Sequence, residues 1–139
     1  MAKVLVAVSK SPINTAQLKD LLLSPKNGAI VEFQGLVRNH DADREVIRLE
    51  YEGHDSAQQA LEEIAESVEK QFSQVDFVVS HRIGVLEVGE LAFYVCAAAA
   101  HREPAFEACR FLVEEVKTKI PVWKNQIFND GSNEWVNSA

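Results

Sequence analysis

Basic and titratable side chains occur at four places where a predicted strand or helix ends. A helix N-terminus beside an arginine favours an anion, because unpaired backbone N–H groups and the helix dipole both attract negative charge. Arginine also suits phosphate, since its planar fork donates two parallel hydrogen bonds. If the fold brings these groups together, the sequence predicts an anion site. The four groups are Arg38 with His40, His81 with Arg82, His101 with Arg102, and Lys117 and Lys119 with Lys124.

Three of these groups also have an ordinary structural explanation. Lysines in the last turn of a helix, as predicted for Lys117 and Lys119, offset the negative end of the helix dipole. The pair His101 and Arg102 is compatible with a surface turn, and Arg38 begins a polar segment that is typical of a solvated loop. Residue types alone therefore leave both a functional and a purely structural interpretation open.

Metal and thiol chemistry have weaker support in the sequence. His40, Asp41 and Asp43 are close together, but a metal site needs more ligands in a fixed geometry, so we predict no metal. Cys96 and Cys109 have no CxxC spacing and lie in apolar segments, which favours buried, reduced thiols. The sequence also lacks a nucleophile elbow, a P-loop and a dinucleotide-binding fingerprint.

Length and charge narrow the class of protein. A chain of 139 residues predicts a single domain over residues 1–139. The net charge of -7 argues against a general nucleic-acid binder, because such proteins present a positive surface. The apolar stretch Leu91–Ala100 is far too short to span a membrane. The start of the chain, MAKVLVAVSK, resembles a strand rather than a signal peptide, so we expect a cytoplasmic location.

The pattern of apolar residues predicts an α+β fold: a two-layer domain in which helices cover a mixed or antiparallel sheet. Apolar residues at three- and four-residue spacing after Ser56 mark the clearest helix, and Pro121 ends the last helix at Ile120. Polar residues over Arg38–Arg44 predict a loop, and Gly84–Glu90 predicts a turn-rich connector. The predicted strands are Lys3–Ser9, Ala29–Val37, Val46–Tyr51, Val75–Ile83, Leu91–Ala99 and a short one around Gln126–Phe128, and the predicted helices begin near Asn14, Ser56 and Pro104 and end near Leu23, Phe72 and Lys119.

Four blocks of the sequence resemble one known family. The segment His101–Lys124, HREPAFEACRFLVEEVKTKIPVWK, is similar to the signature region of the molybdopterin synthase large (catalytic) subunit, the MoaE family. There HR, an AFEACRF-like helix and K-x-x-x-P-x-W-K follow in this order. The blocks GAIVEFQGLVRNH (Gly28–His40), LEYEGH (Leu49–His54) and HRIGVLEVGE (His81–Glu90) resemble the rest of the family in order and spacing. The resemblance implies an α/β hammerhead-like fold.

The resemblance also implies roles for individual residues and an activity. Lys117 and Lys124 match the two lysines central to catalysis in the family. The residues that match its substrate pocket are Arg38, His101 and Arg102, with Phe33 as a neighbouring aromatic. The implied reaction transfers sulfur to cyclic pyranopterin monophosphate and gives the dithiolene of molybdopterin, in molybdenum cofactor biosynthesis. No metal or organic cofactor is implied.

The family resemblance implies two kinds of protein partner. Sulfur arrives as a thiocarboxylate on the C-terminal glycine of a small ubiquitin-like carrier, whose tail inserts into the large subunit. Two large subunits form a homodimer with a carrier at each end, a heterotetramer in which the second protomer completes each pocket. This sulfur route needs no nucleophilic cysteine on the chain itself.

Two other functions stay open from the sequence. One is a homologue of the same fold that binds a phosphorylated metabolite or a partner without catalysing a reaction; the presence of both Lys117 and Lys124 argues against it. The other is a cysteine-dependent sulfurtransferase that acts through Cys109. That activity needs an exposed thiol of low pKa, whereas Cys109 lies among apolar neighbours in the middle of a predicted helix.

Overall fold

The structure is a computed structural model and describes residues 2–137. Strands and helices follow one another with short connections throughout this range. In chain order the elements are β1 (Val4–Ser9), α1 (Thr15–Asp20), β2 (Ala29–Leu36), β3 (His40–Asp41), β4 (Arg44–Gly53), α2 (Ala57–Gln71), β5 (Asp76–Arg82), β6 (Gly84–Glu87), β7 (Leu91–Ala99), α3 (Arg102–Lys119), β8 (Val122–Phe128) and β9 (Asn133–Asn137).

Four strands form the first sheet, in the order β1-β5-β7-β2. The pair β1 and β5 is parallel, whereas β7 is antiparallel to both β5 and β2, so the sheet is mixed as predicted. The two central strands are buried along almost their whole length, which explains their continuous apolar sequences. Strand β2 forms one edge of this sheet.

The two long helices α2 and α3 pack on one face of the first sheet, as the predicted layers require. In α3, buried residues recur every three or four positions from Ala105 to Val116, so one stripe of the helix faces the sheet. The short helix α1 lies on the other face, where Leu22 packs with Tyr94 and Cys96. The Asn14 side chain caps it by accepting a hydrogen bond from the Gln17 amide at 3.0 Å, which confirms the predicted start. None of the helices within residues 2–137 is long and apolar enough to cross a membrane.

The remaining strands form a second sheet beside the end of the first. Strand β4 pairs with β6 along one edge and with β8 along the other, and β9 extends the sheet next to β8. Its own small core includes Val46, Leu49, Leu86 and Phe128. The C-terminal end of α3 leads directly into β8, so this helix connects the two sheets.

The α+β class is confirmed, but two local predictions were wrong. The segment predicted as a connector over Gly84–Glu90 contains β6, whose four residues are held by pairing with β4. The predicted loop Arg38–Arg44 contains the two-residue strand β3, which turns back onto β4 through Ala42 at a positive φ of 53°. Both strands are too short for alternation to reveal, and β6 is stabilised by pairing with a strand far away in the sequence.

Candidate active site

A pocket of about 250 Å³ lies where the C-terminal end of α3 meets the two sheets. Both sheets and the helix contribute to its wall, so it exists only in the assembled fold. Its lining residues are Gly35, Leu36, Arg38, Leu49, Tyr51, His81, Ala92, Phe93, Val116, Lys117, Ile120, Lys124 and Gln126.

Three cationic side chains converge on this pocket from three different elements. Lys117 comes from the last turn of α3, Lys124 from β8, and Arg38 from the segment just after β2. Lys117 and Arg38 are exposed, which places them at the mouth, whereas Lys124 is half-buried. In a chain with a net charge of -7, this group is a local positive site. Its chemistry suits an anionic ligand, because all three side chains are donors only.

The break at Pro121 sets the positions of the two lysines. Ile120 already has extended backbone, with φ -70° and ψ 130°, because the following proline disfavours helical geometry there. The chain then enters β8 without a loop, and side chains alternate across that strand. Lys124 and Gln126 therefore face the pocket while Trp123 remains exposed outside.

The pocket changes the proton affinity of Lys124. Burial lowers the pKa of this lysine, and the positive charges of Lys117 and Arg38 lower it further, against a smaller opposite effect of Asp41. The Asp41 carboxylate accepts a hydrogen bond from Gln126 Nε2 at 2.8 Å and lies 3.7 Å from an Arg38 guanidinium nitrogen. Lys124 thus releases its proton more readily than an ordinary lysine, as a group that moves protons near neutral pH requires.

His81 is a buried, neutral member of the pocket wall. Its ring stacks on Phe93 with centroids 5.5 Å apart and meets Tyr51 edge-on at 5.3 Å. Its Nδ1 lies 2.9 Å from the Arg82 carbonyl oxygen. Burial lowers the pKa of His81 to about 4, and the nearby charge of Lys117 acts in the same direction. The imidazole is therefore uncharged at neutral pH.

Two of the predicted site residues lie at the opposite end of α3. His101 and Arg102 begin the helix and are exposed, beside Glu103 and Phe106. Arg102 and Lys117 are fifteen positions apart on the same helix, a distance of about 22 Å at 1.5 Å per residue. Within one copy of the chain, His101 and Arg102 therefore do not share a pocket with Lys117.

Phe33 lies between the two locations without lining the cationic pocket. Its ring meets Phe93, a pocket residue, edge-on with centroids 5.7 Å apart. On its other side Phe33 borders a surface groove with Phe106 and Cys109 of α3. The predicted neighbouring aromatic is therefore adjacent to the pocket, one side chain removed from it.

Several pocket residues were not assigned a site role from the sequence. Gln126 is two positions beyond Lys124 on the same strand, so alternation along β8 is a signal that points to it. Tyr51 pairs with Lys124 across the β4–β8 ladder, and burial raises its pKa to about 12. That pairing depends on strand register, for which a single sequence gives no direct signal.

Both cysteines are buried, as predicted. Burial raises the pKa of the Cys109 thiol to about 11, and the pKa of Cys96 is also raised by burial. A thiol that keeps its proton at neutral pH is a poor nucleophile. Across residues 2–137, no group of three or more histidine, cysteine or acidic side chains is placed to hold a metal ion.

These features define a class: an α+β protein with a cationic pocket built for an anionic small molecule. Comparison with known proteins identifies the family. The model of the MoaE protein family matches residues 8–119. A molybdopterin synthase catalytic subunit from Pyrococcus abyssi is 40% identical over 134 residues, which are 94% of this chain and 90% of that protein. The chain therefore belongs to the MoaE family of molybdopterin synthase catalytic subunits, sulfurtransferases of molybdenum cofactor biosynthesis.

Solved structures share the fold. The crystal structure of molybdopterin synthase from Staphylococcus aureus superposes with a TM-score of 0.85 at 26% identity, covering 97% of this chain and 96% of that one. A complex of subunits 1 and 2 of molybdopterin-converting factor from Helicobacter pylori contains a chain with a TM-score of 0.74 at 18% identity, covering 96% and 89%. The expected α+β architecture is thus confirmed independently of sequence patterns.

Proposed function

We propose that the pocket catalyses sulfur transfer from the C-terminal thiocarboxylate of a small ubiquitin-like carrier subunit to cyclic pyranopterin monophosphate. The observation that supports this most directly is the convergence of Arg38, Lys117 and Lys124 on one pocket of an acidic chain. Both reactants are anionic, so both are attracted to that pocket. The pocket itself has no cysteine in its wall, which agrees with sulfur that arrives on the carrier.

Each proposed step balances without an external oxidant or reductant. The thiocarboxylate sulfur forms a C–S bond to a side-ring carbon of the precursor, and the cyclic phosphate opens. Water then hydrolyses the acyl link between this sulfur and the carrier, which leaves as a carboxylate. A second charged carrier forms a C–S bond at the adjacent carbon, and the oxygen on that carbon leaves as water. Hydrolysis of this second acyl link releases the carrier as a carboxylate and completes the dithiolene.

The three cations have separate roles in this scheme. Lys117, at the mouth, stabilises the oxyanion that develops on the carrier's terminal carbonyl. Lys124, whose pKa is lowered, donates and accepts protons inside the pocket. Arg38 binds phosphate and keeps the half-reacted intermediate in place.

His101 and Arg102 join this scheme only if a second copy of the chain supplies them. Edge strand β2 offers the surface for that association. Ile30, Leu36 and, on the adjacent helix, Phe106 are exposed apolar residues along it, with 37, 57 and 58% of their surface accessible. Among the described residues no strand pairs with the outer edge of β2. Open edges of this kind readily pair with another chain.

Antiparallel pairing of β2 with its twofold copy has the right dimensions. The seven steps from Ala29 to Leu36 span about 24 Å, close to the distance between the two ends of α3. The start of β2 is fixed to the end of β7, shortly before α3, because the Gly28 amide donates to the Ala99 carbonyl at 3.0 Å. In such a twofold pairing we expect His101 and Arg102 of one copy to lie near Leu36 and the pocket of the other.

We also propose how the protein assembles with its carrier, how many domains it has and where in the cell it acts. The carrier docks at the mouth beside Lys117, as in a heterotetramer of two large subunits and two carriers. The S. aureus structure is that of molybdopterin synthase, and the H. pylori structure is a complex of subunits 1 and 2 of molybdopterin-converting factor. Both support this assembly. We further propose that residues 1–139 act as one domain in the cytoplasm, where reducing conditions keep buried thiols such as Cys96 and Cys109 free.

The deciding experiment is reconstitution. Purified chain, cyclic pyranopterin monophosphate and thiocarboxylated carrier are incubated together, and the dithiolene product is detected after oxidation to a fluorescent pterin. We expect product only with all three components, and none with a carrier that ends in an ordinary carboxylate. Precursor binding without product would favour the alternative, a phosphometabolite-binding homologue that lacks catalysis.

A further inference from the structure

His81 is the pocket residue whose chemistry differs most from that of its neighbours. In their charged forms Arg38, Lys117 and Lys124 donate hydrogen bonds and accept none. His81 is 4% exposed, and both its ring contacts and its backbone contact hold it in one orientation. His81 is therefore a buried polar ring in a fixed orientation that lines a pocket with three cations.

The backbone contact determines which ring nitrogen carries the proton. A carbonyl oxygen accepts hydrogen bonds and cannot donate them, so the 2.9 Å contact with the Arg82 oxygen requires the proton on Nδ1 of His81. Because burial lowers the pKa of this imidazole to about 4, Nε2 is unprotonated at neutral pH. Nε2 therefore presents a lone pair.

That lone pair is available to a ligand. No described side chain or backbone group donates a hydrogen bond to His81 Nε2. Among the side-chain nitrogen and oxygen atoms of the described residues, Arg82 Nε is the only one that is fully buried and has no hydrogen-bond partner. His81 Nε2 also has no partner but is not in this class, so it is not fully buried. His81 Nε2 is thus unpartnered but still accessible, and His81 lines the cationic pocket.

We propose that His81 Nε2 is the hydrogen-bond acceptor that recognises an N–H or O–H donor of the pterin precursor, an inference that rests on the proposed function. The precursor combines a phosphate, which the cations bind, with a heterocycle rich in N–H donors, which they repel or ignore. Recognition of both parts needs donors and a neutral acceptor in one pocket. A site built to accept a hydrogen bond rejects analogues that lack the donor, so His81 contributes specificity for the pterin.

The test uses two substitutions and a control. His81→Phe keeps an aromatic ring between Tyr51 and Phe93 but removes the acceptor, whereas His81→Gln retains an acceptor oxygen at the end of the side chain. His54→Phe alters an exposed histidine outside the pocket. Calorimetry then measures the affinity of each purified chain for cyclic pyranopterin monophosphate and, separately, for the carrier.

We expect His81→Phe to weaken precursor binding about tenfold, the effect of a ligand donor left without its partner, and to leave carrier binding within about twofold. His81→Gln should recover most of the affinity, and His54→Phe should match the wild type. Unchanged precursor affinity in a folded His81→Phe chain would overturn the proposal, as would equal weakening of precursor and carrier.

Nitrogen NMR of the unsubstituted chain gives a second readout that does not depend on a variant folding. With ¹⁵N-labelled histidine at neutral pH, His81 should show the Nδ1–H tautomer, and its Nε2 signal should shift when precursor is added but not when carrier alone is added. An Nε2–H tautomer or a static Nε2 signal with precursor bound would contradict the inference. If the wild-type chain binds no precursor and forms no dithiolene, the proposed function has failed rather than the role of His81.

Discussion

The two ends of α3 show how one helix serves two different environments. At its C-terminal end, Lys117 borders an enclosed pocket with half-buried Lys124 and neutral His81. At its N-terminal end, His101 and Arg102 are exposed beside Phe106 on an open surface. The first end is preorganised within one chain, whereas the role proposed for the second requires another molecule to cover it. Except for His81, the sequence places these residues in the one segment His101–Lys124, so only the fold distinguishes them.

The largest expected effect lies at the pocket end. Lys117→Ala should reduce the rate of dithiolene formation by at least about 100-fold, the usual result of removing an oxyanion donor. Lys124→Ala should also reduce activity severely, through loss of proton transfer. Product formation under saturating precursor and carrier measures both effects.

Lys119 supplies a matched control at the same end of the helix. It is exposed, pairs with Glu115 at 2.6 Å and does not line the pocket. Such an exposed ion pair contributes at most about 1 kcal/mol to stability, so Lys119→Ala should retain full activity. Similar rates in the Lys117 and Lys119 variants would remove the proposed role of Lys117.

Mixed dimers test whether the two ends meet across an interface. One parent carries Lys117→Ala and the other carries His101→Ala with Arg102→Ala. In a mixed dimer with twofold symmetry, one pocket carries all of the substitutions and the other carries none. Half of the dimers in a statistical mixture are mixed, so about a quarter of all pockets are intact and about a quarter of wild-type activity should be recovered. If the mixture is no more active than its parents, His101 and Arg102 do not act in the partner's pocket.

The pocket end should also give the protein a distinct dependence of stability on pH. Folding lowers the pKa of His81 from its ordinary value of 6.5 to about 4, so below pH 6.5 the unfolded chain binds a proton that the folded chain does not. Stability from this group is complete above pH 6.5 and is lost as pH falls towards 4, by as much as about 3 kcal/mol.

Urea unfolding at pH 7.5 and pH 5 checks this expectation. His81→Phe should lose less stability than the wild type between these two values, because the variant has no imidazole to protonate. The exposed His54 provides the control substitution, since His54→Phe should leave the difference unchanged. An equal loss in the wild type and in His81→Phe would show that His81 is not the responsible group.

A somewhat smaller effect is expected at the N-terminal end of α3. Arg102→Ala should weaken precursor binding by about 1.5–3 kcal/mol, the range for a charge-assisted hydrogen bond, and much of that loss should be absent for a ligand without phosphate. Carrier binding should change far less. Arg48→Ala, which alters a partly exposed arginine on the second sheet outside the pocket, is the calorimetric control. Equal weakening of precursor and carrier would contradict a phosphate-binding role for Arg102.

The smallest effect on activity concerns the thiols between the two ends. A Cys96→Ala and Cys109→Ala double variant should transfer sulfur from the carrier at nearly the wild-type rate, because both thiols are buried and protonated. Its free energy of unfolding should fall by roughly 1–2 kcal/mol, as expected for two small core truncations. A folded variant that cannot use an intact thiocarboxylate would favour a persulfide route through this chain.

Sequence patterns predicted the elements that are determined by burial better than those that depend on strand pairing. The apolar stripe of α2 and the continuous apolar run of β7 were recognised, and the predicted start of α1 near Asn14 was confirmed. Strand β6 was missed because four residues with Gly84 at a positive φ resemble a turn, and only pairing with β4 makes them a strand. Tertiary pairing of this kind leaves no local signal.

The site was less accessible to sequence reasoning than the fold. Arg38 and Lys124 are far apart in the chain, and their shared pocket follows from the packing of two sheets. Residue patterns alone identified basic groups at element ends, whereas family resemblance was needed to group Arg38 with the lysines. That resemblance did not reveal that Arg102 is remote from Lys117 within one copy, because it compares residues in order and contains no distances. The functional roles of all these residues remain predictions.

The direct junction between α3 and β8 limits how the length of this segment can change. Only Ile120 and Pro121 separate α3 from β8, so the orientation of the helix about its axis determines which side chains of the strand face the pocket. A single residue inserted here would exchange the two faces of β8, turning Lys124 outward and Trp123 inward. We therefore expect the segment not to tolerate an odd insertion or deletion. An insertion that is harmless in an ordinary surface loop would here remove the lysine proposed as catalytic from the pocket without altering its codon.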